Sequence, residues 1–232
     1  MDTTSISIVA LAYPGCTLLD LIGPHAALTS LPGAEAGIYW KQRGQILTDS
    51  GAIIFADRTF DEAPEKPTVL LVPGGAAATM ALMKDQVVLD WLRRVGERAE
   101  WVTSVCSGAL LLGAAGLLEG YKATSHWAVK DYLPLFGAIA EPGRVVTDRN
   151  RLTGGGVTAG IDFGLTLAAR LGGEKTACAI QLAMEYAPEP PFQAGTPEQA
   201  GPELTAQVLA GFDVESAHGA INEAASRWQK VG

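Results

Sequence analysis

The chain is short of several features that mark large classes of protein. Cysteine is scarce: Cys16, Cys106 and Cys178 are the three present, an odd number with no CxxC or metal-type spacing. Neither a disulfide framework nor a bound metal is expected from them, and a reducing, cytoplasmic setting is the plain expectation. Basic residues are outnumbered, 17 Lys+Arg against 25 Asp+Glu, for a net charge of −8. That balance argues against nucleic acid and against an anionic membrane as partners. No Lys or Arg precedes Lys41, so the start lacks the basic segment of a secretory leader. Long apolar spans are missing too. Of two uncharged runs, Thr3–Leu19 is broken by Tyr13-Pro14-Gly15, and Trp101–Leu118 carries Thr103, Ser104, Ser107 and three glycines. Neither is the predominantly apolar stretch that a bilayer asks for. Internal repeats and low-complexity segments are also absent.

What is present is 232 residues, 48% of them apolar. That is too apolar for a disordered chain, and long enough for one globule that buries on the order of 70–75% of its unfolded surface. Short β-branched runs alternate with helical stretches. Ile6–Leu11, Thr68–Val72 and Trp101–Val105 read as buried strands, with Lys122–Ser125, Arg144–Thr147 and Arg151–Thr153 as shorter ones. Between them, helices are expected over Leu18–Leu31 (disturbed at Pro24), Ala76–Ala81, Gln86–Ala99, Gly108–Leu118, Thr158–Leu171 and Glu174–Tyr186. Val88, Leu89, Leu92 and Val95 form an apolar stripe on one of these. Strands without polar alternation, separated by helices, predict an α/β fold: a mostly parallel sheet sandwiched by helices. Pro188, Pro190, Pro191 and Pro197 then mark an extended arm. It leads to a helical extension in which Leu204, Val208, Phe212, Ile221, Ala225 and Trp228 recur near helical spacing.

In such a sheet, ligands bind beyond the carboxyl ends of the strands. Cys106 follows one strand directly and opens a helix, with small residues Ser104 and Gly108 two positions away on either side. A nucleophile on a sharp strand-to-helix turn needs small flanks. The unpaired N–H groups of a helix start would also lower the thiol pKa. Cys16 and Cys178 lack this context and read as core residues. Asp20, between Leu18-Leu19 and Leu21-Ile22, falls at the same sheet edge. Burial among aliphatics should raise its pKa, so that it can hydrogen-bond a thiolate and later release a proton; the structural alternative is a helix cap. Turns at Pro73-Gly74-Gly75 and Gly154-Gly155-Gly156-Val157 expose backbone N–H groups suited to developing negative charge. Gly154, Gly156 and Ala159 also satisfy G-x-G-x-x-A, but no further strand follows to complete a nucleotide-binding unit. His126, beside Trp127, reads as a packed residue before it reads as a base, and His25 and His218 carry no signal.

These residues resemble the ThiJ/PfpI superfamily of flavodoxin-like proteins over about Ser5–Ala187. The marks are Asp20–Pro24, Leu71–Gly75, Ser104–Gly108, Thr124–Trp127 and Thr153–Phe163. A narrower resemblance, through Trp40-Lys41, Thr103–Gly108, Glu185–Pro188, Pro190–Phe192 and Ala194-Gly195, is to the isocyanide-hydrating branch, whose enzymes use no cofactor. The resemblance implies residues 1–187 as the α/β unit and 188–232 as an arm and helical extension, packed on the same unit or on a partner. It further implies isocyanide and water as substrates, Cys106 as nucleophile, Asp20 as the acid, and a homodimer. Gly75 and Val157 match positions whose N–H groups face the cysteine, and Ser107 stands where the family has a small hydroxyl residue. Members with protease or glyoxalase-like activity tend to carry Cys-His and a Glu acid, whereas here Ser107 follows Cys106 and the acid is Asp20. Another superfamily enzyme and a thiol-based ligand or redox sensor remain as alternatives. A DNA-binding regulator is disfavoured, because Pro188–Gly232 is too short for two helix-turn-helix units.

Overall fold

The sheet at the centre of the chain carries its strands in the order Val145–Asp148, Arg151–Gly154, Trp101–Val105, Val69–Val72, Ile6–Leu11, Ala34–Trp40, Arg58–Thr59, in a computed structural model that describes residues 5–231. All neighbours pair in parallel except the edge strand Val145–Asp148, which is antiparallel to Arg151–Gly154. The period of two along a strand divides the apolar residues between two cores. Val9, Leu11, Leu70, Val72 and Val102 face helices Ala77–Leu82, Gln86–Gly96 and Gly108–Ala114. Ile8, Ala10, Val69, Leu71 and Leu152 face Leu18–Thr29, Ala159–Gly172 and Glu174–Ala183. Both faces are therefore covered, which is why the central strands read as largely apolar runs without charge or polar alternation.

Local chemistry accounts for the layers. The expected stripe Val88, Leu89, Leu92 and Val95 is buried, and Asp85 caps its helix by accepting from the Val88 N–H at 3.4 Å. Pro24 lies inside helix Leu18–Thr29 without ending it. Its neighbour across the layer is Gly164, where a Cβ would come within 2.9 Å of Ala27 Cβ and 3.0 Å of Pro24 Cα. That close approach seats the first helix, and Asp20 with it, against the sheet.

Several boundaries differ from the sequence expectation. Helix Gly108–Ala114 stops short of Leu118, and Glu174–Ala183 short of Tyr186. The strand expected at Arg144–Thr147 is Val145–Asp148, and that at Lys122–Ser125 shrinks to Lys122–Ala123, paired with Ile139–Ala140 outside the main sheet. Strand Ala34–Trp40 and the hairpin Gly44–Leu47/Ile53–Ala56 were not expected at all. Cys16 is buried, but Cys178, expected in the core, is exposed on helix Glu174–Ala183.

After the Pro-rich arm, helix Pro197–Ala210 starts at Thr196, whose hydroxyl accepts from the Gln199 N–H at 3.3 Å, and kinks at Gly201. Helix Val214–Val231 returns to the globule: Ile221, Ala224 and Ala225 join the first core, and Trp228 meets Phe136 edge-on at 6.4 Å. Residues 1–4 and 232, within the two units expected from sequence, lie outside the described residues. No helix among the described residues is long and apolar enough to cross a membrane.

Candidate active site

Cys106 joins strand Trp101–Val105 to helix Gly108–Ala114 with φ +58°. A residue with a side chain adopts that left-handed conformation at a cost, and keeps it only when its surroundings over-determine it. Here the Cys106 N–H donates to the carbonyls of Gly154 (3.1 Å) and Gly155 (2.8 Å), while the Ser125 hydroxyl donates to the Cys106 carbonyl at 2.7 Å. Gly108 explains the small downstream flank, since a Cβ there would lie 2.3 Å from the Val72 carbonyl oxygen. The elbow is thus pinned from three strands' ends.

Asp20 sits in the first turn of helix Leu18–Thr29 with no exposed surface. It does not cap that helix. Its Oδ2 accepts from the Gly74 N–H at 2.9 Å across the sheet edge, and Oδ1 is buried without a nitrogen or oxygen partner. Burial pushes the carboxyl up to about 7, against the opposing pulls of the Gly74 N–H and the Cys106 thiol. Of the flanking aliphatics, Leu19 and Ile22 are 40% and 36% exposed, so the packing of the turn, not the local sequence, supplies the desolvation.

The thiol departs from expectation. Instead of being lowered, the Cys106 pKa is driven well up, first by burial and then by the neighbouring Asp20 carboxylate; the Ser107 N–H and hydroxyl oppose this more weakly. Helix Gly108–Ala114 has only seven residues, and its dipole does not offset desolvation of a thiolate. Asp20 eases when the thiol keeps its proton, and the thiol stiffens when Asp20 has lost its own. The pair is therefore arranged as a thiol that donates toward a carboxylate.

The other expected residues fall close by. Ser107 is 3% exposed, and its Oγ accepts from the Gly75 N–H at 3.2 Å. That N–H is therefore committed to the hydroxyl and not to the sulfur. Val157 lines a cavity of about 800 Å³ that opens over Cys106 and Ser107. Its walls are mostly apolar: Ala77 and Met80 from one helix, Val129 and Tyr132 from the segment after His126, and Leu209 and Phe212 from the C-terminal extension. His126 also lines it. The Ala128 N–H donates to its Nδ1 at 3.3 Å, its ring packs on Trp127 and Phe212 with centroids 5.3 and 6.1 Å away, and burial pushes its pKa below the usual histidine value. Gly74, which holds Asp20, was seen in sequence only as part of a turn. Tyr13 and Thr79, hydrogen-bonded behind Ser107, were missed.

Residues 6–170 match the DJ-1/PfpI family. The isonitrile hydratase of Pseudomonas putida is 47% identical over 196 residues, 84% of this chain and 85% of that protein. Deglycase TK1284 of Thermococcus kodakarensis is 30% identical over 146 residues, 62% of this chain and 87% of that one. Among solved structures, a THiJ/PfpI family protein from Pseudomonas syringae superposes with a TM-score of 0.89 at 46% identity, covering 94% of this chain and 90% of that chain. The chain belongs to the DJ-1/PfpI family.

Proposed function

We propose that this DJ-1/PfpI family member hydrates isocyanides to N-formamides, with Cys106 as the nucleophile and Asp20 as the carrier of its proton. The observation that carries the reading is the buried Cys106–Asp20 pair, of which Cys106 lines an apolar cavity and Asp20 lies buried beside it. The isonitrile hydratase that the chain matches over most of both lengths supports the same reading.

The chemistry balances on these two groups. An isocyanide, R–N≡C, has a carbon that accepts both a proton and a soft nucleophile. Asp20, as carboxylate, takes the thiol proton; the sulfur forms a bond to carbon while the proton passes from Asp20 to that same carbon. The product is a thioimidate, R–N=CH–S–Cys106. Water then adds across C=N, Asp20 removing one proton as the nitrogen gains one, to give R–NH–CH(OH)–S–Cys106. The C–S bond breaks, the hydroxyl becomes the formyl oxygen, its proton returns to sulfur, and R–NH–CHO leaves. Each turnover adds one water and restores the thiol. Because the resting thiol is protonated and Asp20 titrates near neutrality, the proton needed at carbon is already in the site. The apolar walls suit the R group, and Gly74, by fixing Oδ2, leaves Oδ1 available for the transfer.

The test is direct: purified protein is given p-nitrophenyl isocyanide in one arm and methylglyoxal in the other. Formamide production in the first alone, abolished in Cys106→Ala, is expected; turnover of methylglyoxal only, or an active Cys106→Ala variant, overturns the assignment. Association as a homodimer belongs to the same proposal, supported by the exposed apolar side chains Leu19, Ile22, Leu47, Ile53 and Phe55. A monomer mass by light scattering would refute that part.

A further inference from the structure

Cys106 and Ser107 form only a small part of the wall of their cavity, whose volume is about 800 Å³. That is room for a drug-sized ligand, whereas the reacting N≡C group is two atoms. The room comes from small side chains. Ala77 and Ala81 stand four positions apart on helix Ala77–Leu82, and Ala217 and Ala220 three apart on helix Val214–Val231. Each pair therefore shares a helix face, and all four residues line the cavity. Met80, Val129, Leu209 and Phe212 add larger apolar surface. Phe212 is 41% exposed, so much of its ring lacks protein cover.

The charged side chains on the same wall are spent on the fold. Lys84 pairs with Glu223 at 2.7 Å, which ties the end of helix Ala77–Leu82 to helix Val214–Val231. Asp49 accepts from the Leu18 N–H at 3.2 Å, and Asp213 from the Ser216 N–H at 3.1 Å.

We propose that the cavity selects isocyanides whose R group is a large, uncharged hydrocarbon, and that the C-terminal helix, through Ala217 and Ala220, sets how long that group can be. The isocyanide head rests on the proposed function; the size and polarity of the R group rest on the walls. A sugar or a charged chain would bring its polar groups against alanine, methionine and phenylalanine, where they find no partner. A hydrocarbon gains from every methylene that leaves water. Leu209, Phe212, Ala217 and Ala220 also lie beyond residue 170, outside the span that matches the family. The size limit thus belongs to the extension of this chain and not to the shared α/β unit.

The probes are N-propyl-, N-pentyl- and N-heptylformamide, whose binding needs no turnover and is measured by calorimetry on the full chain. The matching alkyl isocyanides are assayed beside them. Affinity should rise about fourfold with each added methylene, on the order of 200-fold from propyl to heptyl, and kcat/KM for the isocyanides should rise in step. Ala217→Phe puts a ring into the space that the longer chains need, so its heptyl-over-propyl affinity ratio should fall by about tenfold or more. Should that variant not fold, Ala81→Phe, at an exposed position of the other alanine-faced helix, makes the same test. A flat formamide series in the wild-type protein, or a heptyl-over-propyl ratio unchanged in the folded variant, overturns the proposal. A rising formamide series with no isocyanide turned over sinks the proposed reaction and leaves the selection for hydrocarbon standing. Isocyanides all turned over at one kcat/KM, with a flat formamide series, do the reverse.

Discussion

Replacing Asp20 with Asn tests whether the site is held at a cost to the fold. The Asp20 carboxyl is raised from 3.8 to about 7 by burial. The folded state therefore holds this proton more tightly than the unfolded chain does, and stability falls as pH climbs from the unfolded value through the folded one. The difference of about 3 units, at 1.36 kcal/mol each, makes the burial of the ionised carboxylate cost about 4 kcal/mol above neutrality. Asn has the same shape, keeps an oxygen for the Gly74 N–H, and carries no charge. Asp20→Asn should thus be more stable than wild type by up to about 4 kcal/mol near pH 8, and by only about 2 kcal/mol near pH 5. Urea unfolding of both proteins at the two pH values, followed by circular dichroism, gives the numbers. All other titrating groups are common to the pair, so the change in the difference isolates Asp20. Equal stability near pH 8, or a gap that does not widen with pH, would refute the assignment of desolvation as the cause. The same variant should be inactive, since it cannot carry the proton: the stabilised protein is the dead one.

Three further outcomes follow from the same geometry. If isocyanide is the substrate, kcat/KM should rise with pH through a midpoint near the Asp20 value of about 7, because only the carboxylate can take the thiol proton; a profile flat across that range contradicts the role. Gly108→Ala would force a Cβ to within 2.3 Å of the Val72 carbonyl oxygen, and its urea midpoint should fall by an amount worth about 2 kcal/mol or more. An unchanged midpoint would show that the elbow is looser than the contacts imply. Phe212→Ala removes a ring that walls the cavity from the C-terminal extension; the ratio of kcat/KM for a bulky over a small isocyanide should shift by about tenfold in favour of the bulky one.

Much of the fold could be read along the chain because its signals are local. The runs Ile6–Leu11 and Trp101–Val105 carry no charge and no polar alternation, as suits strands covered on both faces, and the caps and stripes of the helices lie within one or two turns. Strand Ala34–Trp40 escaped because three residues of its sequence, AEAGIYW, are alanine or glycine, a fourth is charged, and its burial alternates only partly. Its place in the sheet comes from six backbone pairs with Ile6–Leu11, nearly thirty residues earlier in the chain. The exposure of Cys178 was misjudged for a related reason: residue type suggested a core position, but the helix presents Ala177 and Ile180 inward and leaves Cys178 outside.

The elbow could be found because its requirement, small residues two positions away on either side of Cys106, is written within five residues. The state of the thiol could not. Reasoning from the helix start alone gives a lowered pKa, because the dipole is a local effect, whereas the opposing influences are Asp20, 86 positions away in the sequence, and the burial of the thiol in the folded chain. The Tyr13–Thr79–Ser107 chain is more distant still, its links separated by 66 and 28 positions. One sequence signal did point to it. A tyrosine ending a buried strand at the carboxyl edge of the sheet, just before Pro14-Gly15, brings a hydroxyl that needs a partner where the ligand site must be. Buried hydroxyls at that edge are therefore worth tracing, because each must find a partner, and at this site the partners run from Tyr13 through Thr79 to the residue that follows the elbow cysteine.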